Sequence, residues 1–490
     1  MFFRKKSVKA PSFEYIQQKL NHSPDLICRE ISIDDQIIQL IFMNPIVNED
    51  TVQRVIIPFF NKLSREQINI SYIQTNIPIK DIKPVNENVI ELLLSGFLYV
   101  YLKNTNEGLL LEISDGKERS LEKAETESLV LGPKIAFTES LNTNLNMIRK
   151  LIRDERLITE ELTIGTRSKR KVRIVYLKDI ADEDNVETVK QRLQDIHVED
   201  VMDSSVLAQM IDDNSLSIFP QYLLTQLPDR FVYSICSGRI GIIVDQSPTA
   251  IICPSTFLSF FESTEDIYMR WFLSSSLRMM RFIGMVISVF FTPIYVAAVT
   301  FHNEVIPSNL LITLGQSRVV VPFPPLLEAL LLEVMIDLLR EAGARLPSKV
   351  GQTMGIVGGI VLGQATVEAG LTSNILIIVV SLSALANFTS PTYEMGTALR
   401  ILRFPFLIAA GFWGFNGIML CFIFLLTHLL KLTSLGRPYL SPLYPFRKDD
   451  LKYFLFRLPI PYYYKRAISN RPSDCYRWSK MNRTWDVDEE

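Results

Sequence analysis

The chain is poor in the residues that build reactive centres. It has five cysteines in 490 residues, at Cys28, Cys236, Cys253, Cys421 and Cys475, and no two are close enough to form a CxxC pair. That spacing excludes a sequence-local metal knuckle or redox motif and points to unpaired thiols in a reducing compartment. Four scattered histidines (His22, His197, His302, His428) argue equally against a histidine metal cluster. There is no GxxxxGK[ST] phosphate loop, no GxGxxG and no GxSxG nucleophile elbow. The formal net charge of −2 gives no nucleic-acid signal. The N-terminus, MFFRKKSVKAPSFEY, is basic but has no apolar core, so no cleavable signal peptide is expected. Acidic clusters occur at Asp182–Asp184, Glu199–Asp200 and Asp212–Asp213. Their polar contexts read as solvated surface rather than acid/base machinery. The expectation is a protein that is not an enzyme and needs no cofactor or metal.

What the chain does have is uneven. Its long uncharged runs lie almost entirely between residues 282 and 430. Phe282–Phe301 has no charge, which suffices to cross a hydrocarbon core of ~30 Å, with Pro293 as a kink. Further spans are expected at about 350–368, 371–390 and 404–430; the last contains GFWGFNG, where a helix can bend. The segment 319–343 mixes three prolines with Glu328, Glu333, Asp337 and Glu341, and reads as interfacial, re-entrant or spanning. Carboxylates in lipid face protein or water, so Glu328, Glu333 and Glu368 are candidate polar membrane sites. Four spans, with 319–343 outside the count, place Arg400 and Arg403 on the outer side. Arg278 and Arg281 before the first span, and a tail with twelve Lys/Arg against seven Asp/Glu after Leu430, read both ends as cytoplasmic.

Gly351, Gly355, Gly359 and Gly363 recur every four residues in GQTMGIVGGIVLGQATVE. Such a stripe weakens a helix in water but lets helices approach closely in lipid. These four are candidate helix-packing residues. Val357, Ile360 and Val361 lie off the stripe and are candidate pore or gate residues.

The first 277 residues read as α/β, in two related subdomains, 1–135 and 136–277, followed by an all-α polytopic membrane domain, 278–432, and a short basic aromatic tail, 433–490. The duplication rests on LLLSGFLYVYLKNTNEGLLLEI (Leu92–Ile113) and YSICSGRIGIIVDQSPTAIICP (Tyr233–Pro254), each with Ser-Gly before an apolar hairpin. The alternative is chance likeness between two hairpins. A helix with apolar positions Leu141, Leu145, Ile148 and Ile152 is expected to join them. The basic run Arg167–Arg173 is either a lipid or partner contact or a solvated loop entering a strand. The tail, broken by five prolines between Pro438 and Pro461, is expected to rest on the membrane surface or the soluble region.

Several stretches together resemble the A subunits of GerA-type spore nutrient-germinant receptors. They are RFIGM (Arg281–Met285), TPIYVAAVTFHNEVIP (Thr292–Pro307), VPFPPLLEALLLEVMIDLLREAGARLP (Val321–Pro347), GIVGGIVLGQATVEAG (Gly355–Gly370), IGTRSKRKVRIVYL (Ile164–Leu177), FPQYLLTQLPDR (Phe219–Arg230) and SGRIGIIVDQSPTAIICPSTF (Ser237–Phe257). The first 130 residues and the tail after Leu440 match least, and Pro324-Pro325 departs from the pattern. The resemblance implies a non-enzymatic subunit in the spore inner membrane of sporulating Firmicutes. It would act with a transporter-like B subunit and a lipoprotein C subunit, self-associate, and contribute a nutrient-gated ion path. The alternative is a solute transporter or a transporter-associated scaffold. Against it, the hydrophobic region is small and has no clear inverted repeat.

Overall fold

The computed structural model describes residues 10–33, 36–44, 46–79, 81–85, 88–113, 124, 127, 131–345, 359 and 363–478. The chain forms two compact units. One, a sheet unit, comprises residues up to 212, 222–254 and 461 onward; the other, a helical unit, comprises 213–221 and 255–460.

The sheet unit holds two five-stranded sheets. The first contains β1 (Leu26–Ile33), β2 (Gln36–Met43), β3 (Ile82–Pro84), β4 (Phe97–Leu102) and β5 (Glu107–Glu112) in the order β1-β2-β4-β5-β3. The second contains β6 (Leu157–Ile164), β7 (Arg170–Leu177), β8 (Leu223–Thr225), β9 (Ile240–Val244) and β10 (Ala250–Cys253) in the order β6-β7-β9-β10-β8. Every pairing is antiparallel, and the two orders are the same. The continuous apolar run IIQLIFM follows from burial on both faces. Ile38, Leu40 and Phe42 enter one core, while Ile41 and Met43 enter the other. Ahead of each inner hairpin a helix ends on a Ser-Gly turn. Val89–Leu94 leads through Gly96 (φ 96°) into β4, and Pro228–Ile235 leads through Gly238 (φ 91°) into β9. At Gly238 a Cβ would also lie 3.2 Å from Pro472.

Three helices matter here. α1 (Leu141–Leu151) buries Leu141, Leu145 and Ile148. α2 (Ser204–Ile211) is capped by Asp203, which accepts from Ser205 N–H and from the hydroxyls of Ser205 and Ser247. α3 (Pro228–Ile235) receives the C-terminal segment. Arg466 Nε donates to Cys236 O (2.9 Å), and Ser473 N–H donates to Ile180 O (2.9 Å). The Arg477 guanidinium lies 4.9 Å from the Tyr233 ring centroid and 5.1 Å from that of Tyr463. The tail is therefore divided: 433–460 belongs to the helical unit and 461–478 to the sheet unit.

The helical unit contains α4 (Trp271–Phe301), α5 (Ser308–Arg318), α6 (Pro325–Arg345), α7 (Asn374–Asn387), α8 (Tyr393–Lys431) and α9 (Lys448–Leu455). α4 and α8 are long and apolar enough to cross a membrane. The bend expected in GFWGFNG, within the 404–430 segment, falls at one glycine. α8 breaks at Gly414 (φ 59°, ψ −139°), a conformation open essentially to glycine alone, and a Cβ there would lie 2.6 Å from the His302 ring. The chain turns back on itself, so that Phe290 stacks edge-on against both Phe406 and Phe422, and Cys421 Sγ donates to Pro405 O. Two antiparallel arms result, 393–413 and 415–431. Segment 319–343 contributes α6, which packs among α4, α7 and α8. At 1.5 Å per residue its 21 residues measure about 31 Å.

Candidate functional site

The helical unit carries a polar seam through an otherwise apolar interior. Thr292, Ser288 and Tyr295 lie on one face of α4 at helical spacing. Opposite them stand Glu328 and Glu333 on α6, and Ser373 and Ser383 at the start and within α7. Thr292 Oγ1 donates to Glu333 Oε1 (3.0 Å) and contacts Ser383 Oγ (3.1 Å); Tyr295 Oη lies 3.5 Å from Ser373 Oγ. Arg403, from the first arm of α8, places Nη1 2.5 Å from Glu333 Oε2, with both side chains at most 1% exposed. One turn along, Arg400 faces Asp337 at 3.9 Å. At the other end Glu328 Oε1 meets Arg318 of α5 (3.0 Å), and its Oε2 accepts the Ser373 N–H (3.2 Å) that opens α7. Arg340 Nη2 donates to Ala384 O near the C-terminal end of α7, and its guanidinium covers the Phe388 ring at 4.1 Å.

These pairs also fix directions. α6 runs antiparallel to the first arm of α8, since 333 meets 403 and 337 meets 400. α7 runs antiparallel to α4, since 373 meets 295, 383 meets 292, and Thr389 lies against Gly284. α6 and α7 are therefore parallel to one another.

The sequence-expected residues fare unequally. Glu328 and Glu333 are buried and ion-paired. Glu368 is exposed, and its partner is Gln364 Nε2 (2.9 Å). Gly351, Gly355, Val357, Ile360 and Val361 lie outside the described residues. Gly359 and Gly363 have nothing within 4 Å of where a Cβ would stand. The glycines that admit close packing inside this chain are others: Gly284 against Thr389, Gly411 against Leu326, and Gly417 against the Ala409 carbonyl. Arg400 and Arg403, which the four-span count puts on the outer side, stand in the seam facing Asp337 and Glu333. They were readable only as two arginines three residues apart in a helical pattern, which one helix face needs for two partners.

The sheet unit has a second polar cluster. Asp25, 1% exposed, is bound by Arg149 of α1 (3.2 Å), Arg173 of β7 (3.4 Å) and the Thr159 hydroxyl (2.6 Å). Arg173 also grips Glu161 at 2.6 Å. Beside it a groove of about 480 Å³ is lined by Asn44, Asn142, Glu161, Lys171, Arg173 and Asp245, among others. Two carboxylates and two cations give it the means to hold a small polar molecule bearing either charge. The basic run Arg167–Arg173 is taken up by acids: Arg167 by Glu199, Arg170 by Asp200, Lys171 by Glu161. Residues 166–168 form a turn, and Arg170 opens β7. The five cysteines are unpaired, and burial pushes the Cys253 thiol up to about 12. No group of His, Cys, Asp and Glu able to hold a metal ion occurs among the described residues.

The family profile for the Bacillus/Clostridium GerA spore germination protein matches residues 14–469. The chain is 41% identical over 471 residues to the spore germination protein GerQA of Bacillus cereus, covering 96% of this chain and 94% of that protein. It is 36% identical over 367 residues to the membrane protein YfkQ of Bacillus subtilis (strain 168), covering 75% and 72%. The N-terminal domain of the A subunit of the Bacillus megaterium spore germinant receptor GerK3 aligns with a TM-score of 0.40 at 23% identity, over 52% of this chain and 99% of that one.

Proposed function

This chain belongs to the Bacillus/Clostridium GerA spore germination protein family, and from that premise we propose that it is a membrane subunit of a spore germinant receptor. It responds to nutrients and triggers germination by forming, as a homo-oligomer, a gated path for ions. Its partners are a transporter-like B subunit and a lipoprotein C subunit. It works in the spore inner membrane without catalysis or a cofactor.

The observation that carries this reading is the seam of paired charges inside a bundle whose outer face is apolar. Ile378, Leu385, Trp413 and Phe424 point outward, while Glu333 and Arg403 are buried. In water that arrangement has no rationale; in lipid it is the usual one. α4, α6, α7 and the two arms of α8 form the described bundle, and this reading takes both ends of the chain as cytoplasmic. The candidate gate residues Val357, Ile360 and Val361 lie outside the described residues.

The test is ion flux through liposomes holding the receptor complex. A polar residue at any one of the three gate positions is expected to leak ions without nutrient. Unchanged conductance in all three variants refutes the gate. Labelled nutrient taken up by this chain alone would favour a transporter instead.

A further inference from the structure

One end of the helical unit, where α4 begins, carries a surface both apolar and basic. α9 is fixed there against α4. Arg278 Nη1 donates to the carbonyls of Tyr453 (3.0 Å) and Phe454 (3.2 Å), and Arg457 N–H donates to Ser275 Oγ (3.1 Å). Ser275 and Arg278 precede the uncharged run at Phe282 by seven and four residues, or about 10 and 6 Å of helix. Arg278 therefore lies within the headgroup layer, which adds roughly 5–8 Å to each side of the hydrocarbon, and Ser275 at its outer edge.

α9 turns Asp450 and Phe454 inward and leaves Lys448, Lys452 and the following Phe456 outside. Just before it, Leu443, Tyr444 and Phe446 are 42%, 58% and 70% exposed. Their backbone is held, with Leu443 N–H donating to Leu440 O and Arg447 N–H donating to Pro442 O, so a fixed loop carries these side chains as a prong. Trp271 and Phe272, at the first turn of α4, are exposed as well. Charge over 431–460 is one-sided: Lys431, Arg437, Arg447, Lys448, Lys452 and Arg457 against Asp449 and the buried Asp450.

We propose that loop 443–446 and α9 form a membrane-surface anchor, the aromatic prong entering the headgroup layer and the lysines beside it taking anionic phospholipid. Rings with one wet edge and long cationic side chains are the residues that favour that layer. The sign of the charge selects the occupant. A second copy meeting through the same patch would set lysine against lysine, whereas an anionic leaflet attracts each of them. The inference rests on the helical unit lying in a bilayer.

The experiment uses the full chain with Cys475→Ser, which removes the exposed native thiol. A nitroxide is attached at Phe446→Cys, in nanodiscs of phosphatidylcholine with or without phosphatidylglycerol. Phe424→Cys on α8 serves as the lipid control and Met202→Cys as the water control. All three sites are exposed, so folding is not at stake. The Phe446 label is expected to collide with oxygen in preference to a nickel chelate, as at Phe424, and more strongly with phosphatidylglycerol present. Lys448→Gln and Lys452→Gln should each reduce that lipid preference about fivefold. Accessibility like that of Met202 overturns the anchor. So does protection from both reagents accompanied by dipolar broadening between Phe446 labels, which assigns the patch to a second copy. If Phe424 also reads as water, the bilayer reading has failed and the anchor falls with it, a result distinct from failure at Phe446 alone.

Discussion

Replacing Glu333 by leucine strands a guanidinium in the middle of the helical unit. Arg403 is 1% exposed, and Glu333 is its ion-pair partner at 2.5 Å. At an effective dielectric of 20 the attraction at that distance is about 7 kcal/mol. Desolvation of two ions, several kcal/mol each, offsets most of it, so the intact pair adds little net stability. Loss of one member is a different matter, because the other keeps its desolvation penalty and gains nothing. Glu333→Leu and Arg403→Leu are each expected to destabilise the chain by about 3–5 kcal/mol. The double variant, with two apolar groups facing one another, should lose at most about 2 kcal/mol. The coupling between the sites then exceeds about 3 kcal/mol. Reversible unfolding of the four proteins in bicelles measures it. If the two single effects instead add to within about 0.5 kcal/mol, the residues are energetically independent and the seam is not a paired unit.

Gly414→Ala forces a Cβ onto the His302 ring and a left-handed backbone that alanine resists; a loss of at least about 2 kcal/mol and of the folded α8 hairpin is expected, read from thermal unfolding and protease resistance. Gly359→Ala and Gly363→Ala meet nothing among the described residues, so the isolated subunit should unfold at no lower a temperature; if the stripe packs against a second copy, the mass of the assembled complex falls, and an unchanged mass would remove the stripe from any such contact. Asp203 is opposed by burial, but the Ser247 and Ser205 hydroxyls and backbone N–H groups win and hold its pKa below the ordinary 3.8. A depressed carboxylate stabilises above the unfolded value and loses that contribution as pH falls through the folded one, so Asp203→Ala should cost about 1–2 kcal/mol near neutrality and progressively less below pH ~3.8 in acid titrations of stability. Asp25→Ala leaves Arg149 and Arg173 facing one another and should destabilise the sheet unit by about 3 kcal/mol or more, while Glu49→Ala, which breaks the exposed pair with Arg29, should change stability by less than about 1 kcal/mol.

Local patterns were the legible part of this chain. Apolar spacing placed α1, the two inner hairpins and the first long helix, because period and turn chemistry act over a few residues. The repeated Ser-Gly turn pointed to two like subdomains, and the two sheets share one strand order. Glu328 and Glu333 stood out because carboxylates in an apolar segment need a reason. Their partners did not, since Arg403 lies seventy residues farther along the chain, beyond reach of any local spacing. The hairpin in α8 was illegible for a similar reason. Gly414 is one glycine among three in GFWGFNG, and only the His302 ring behind it makes it the turning point. The glycine ladder drew attention by its regularity, yet a Cβ on Gly359 or Gly363 would meet nothing among the described residues. Periodicity reports that a face is small, not what lies against it.

The C-terminal strap on α3 sets an order of events during synthesis. Ser473, Arg466 and Arg477 complete the surface around Ile180 and Tyr233, yet they leave the ribosome only after every long helix has been made. Until then the second sheet waits with its Tyr233 flank bare. A product that terminates before Arg466 lacks the strap and keeps that flank bare, so the last described residues complete a fold whose strands are made in the first half of the chain.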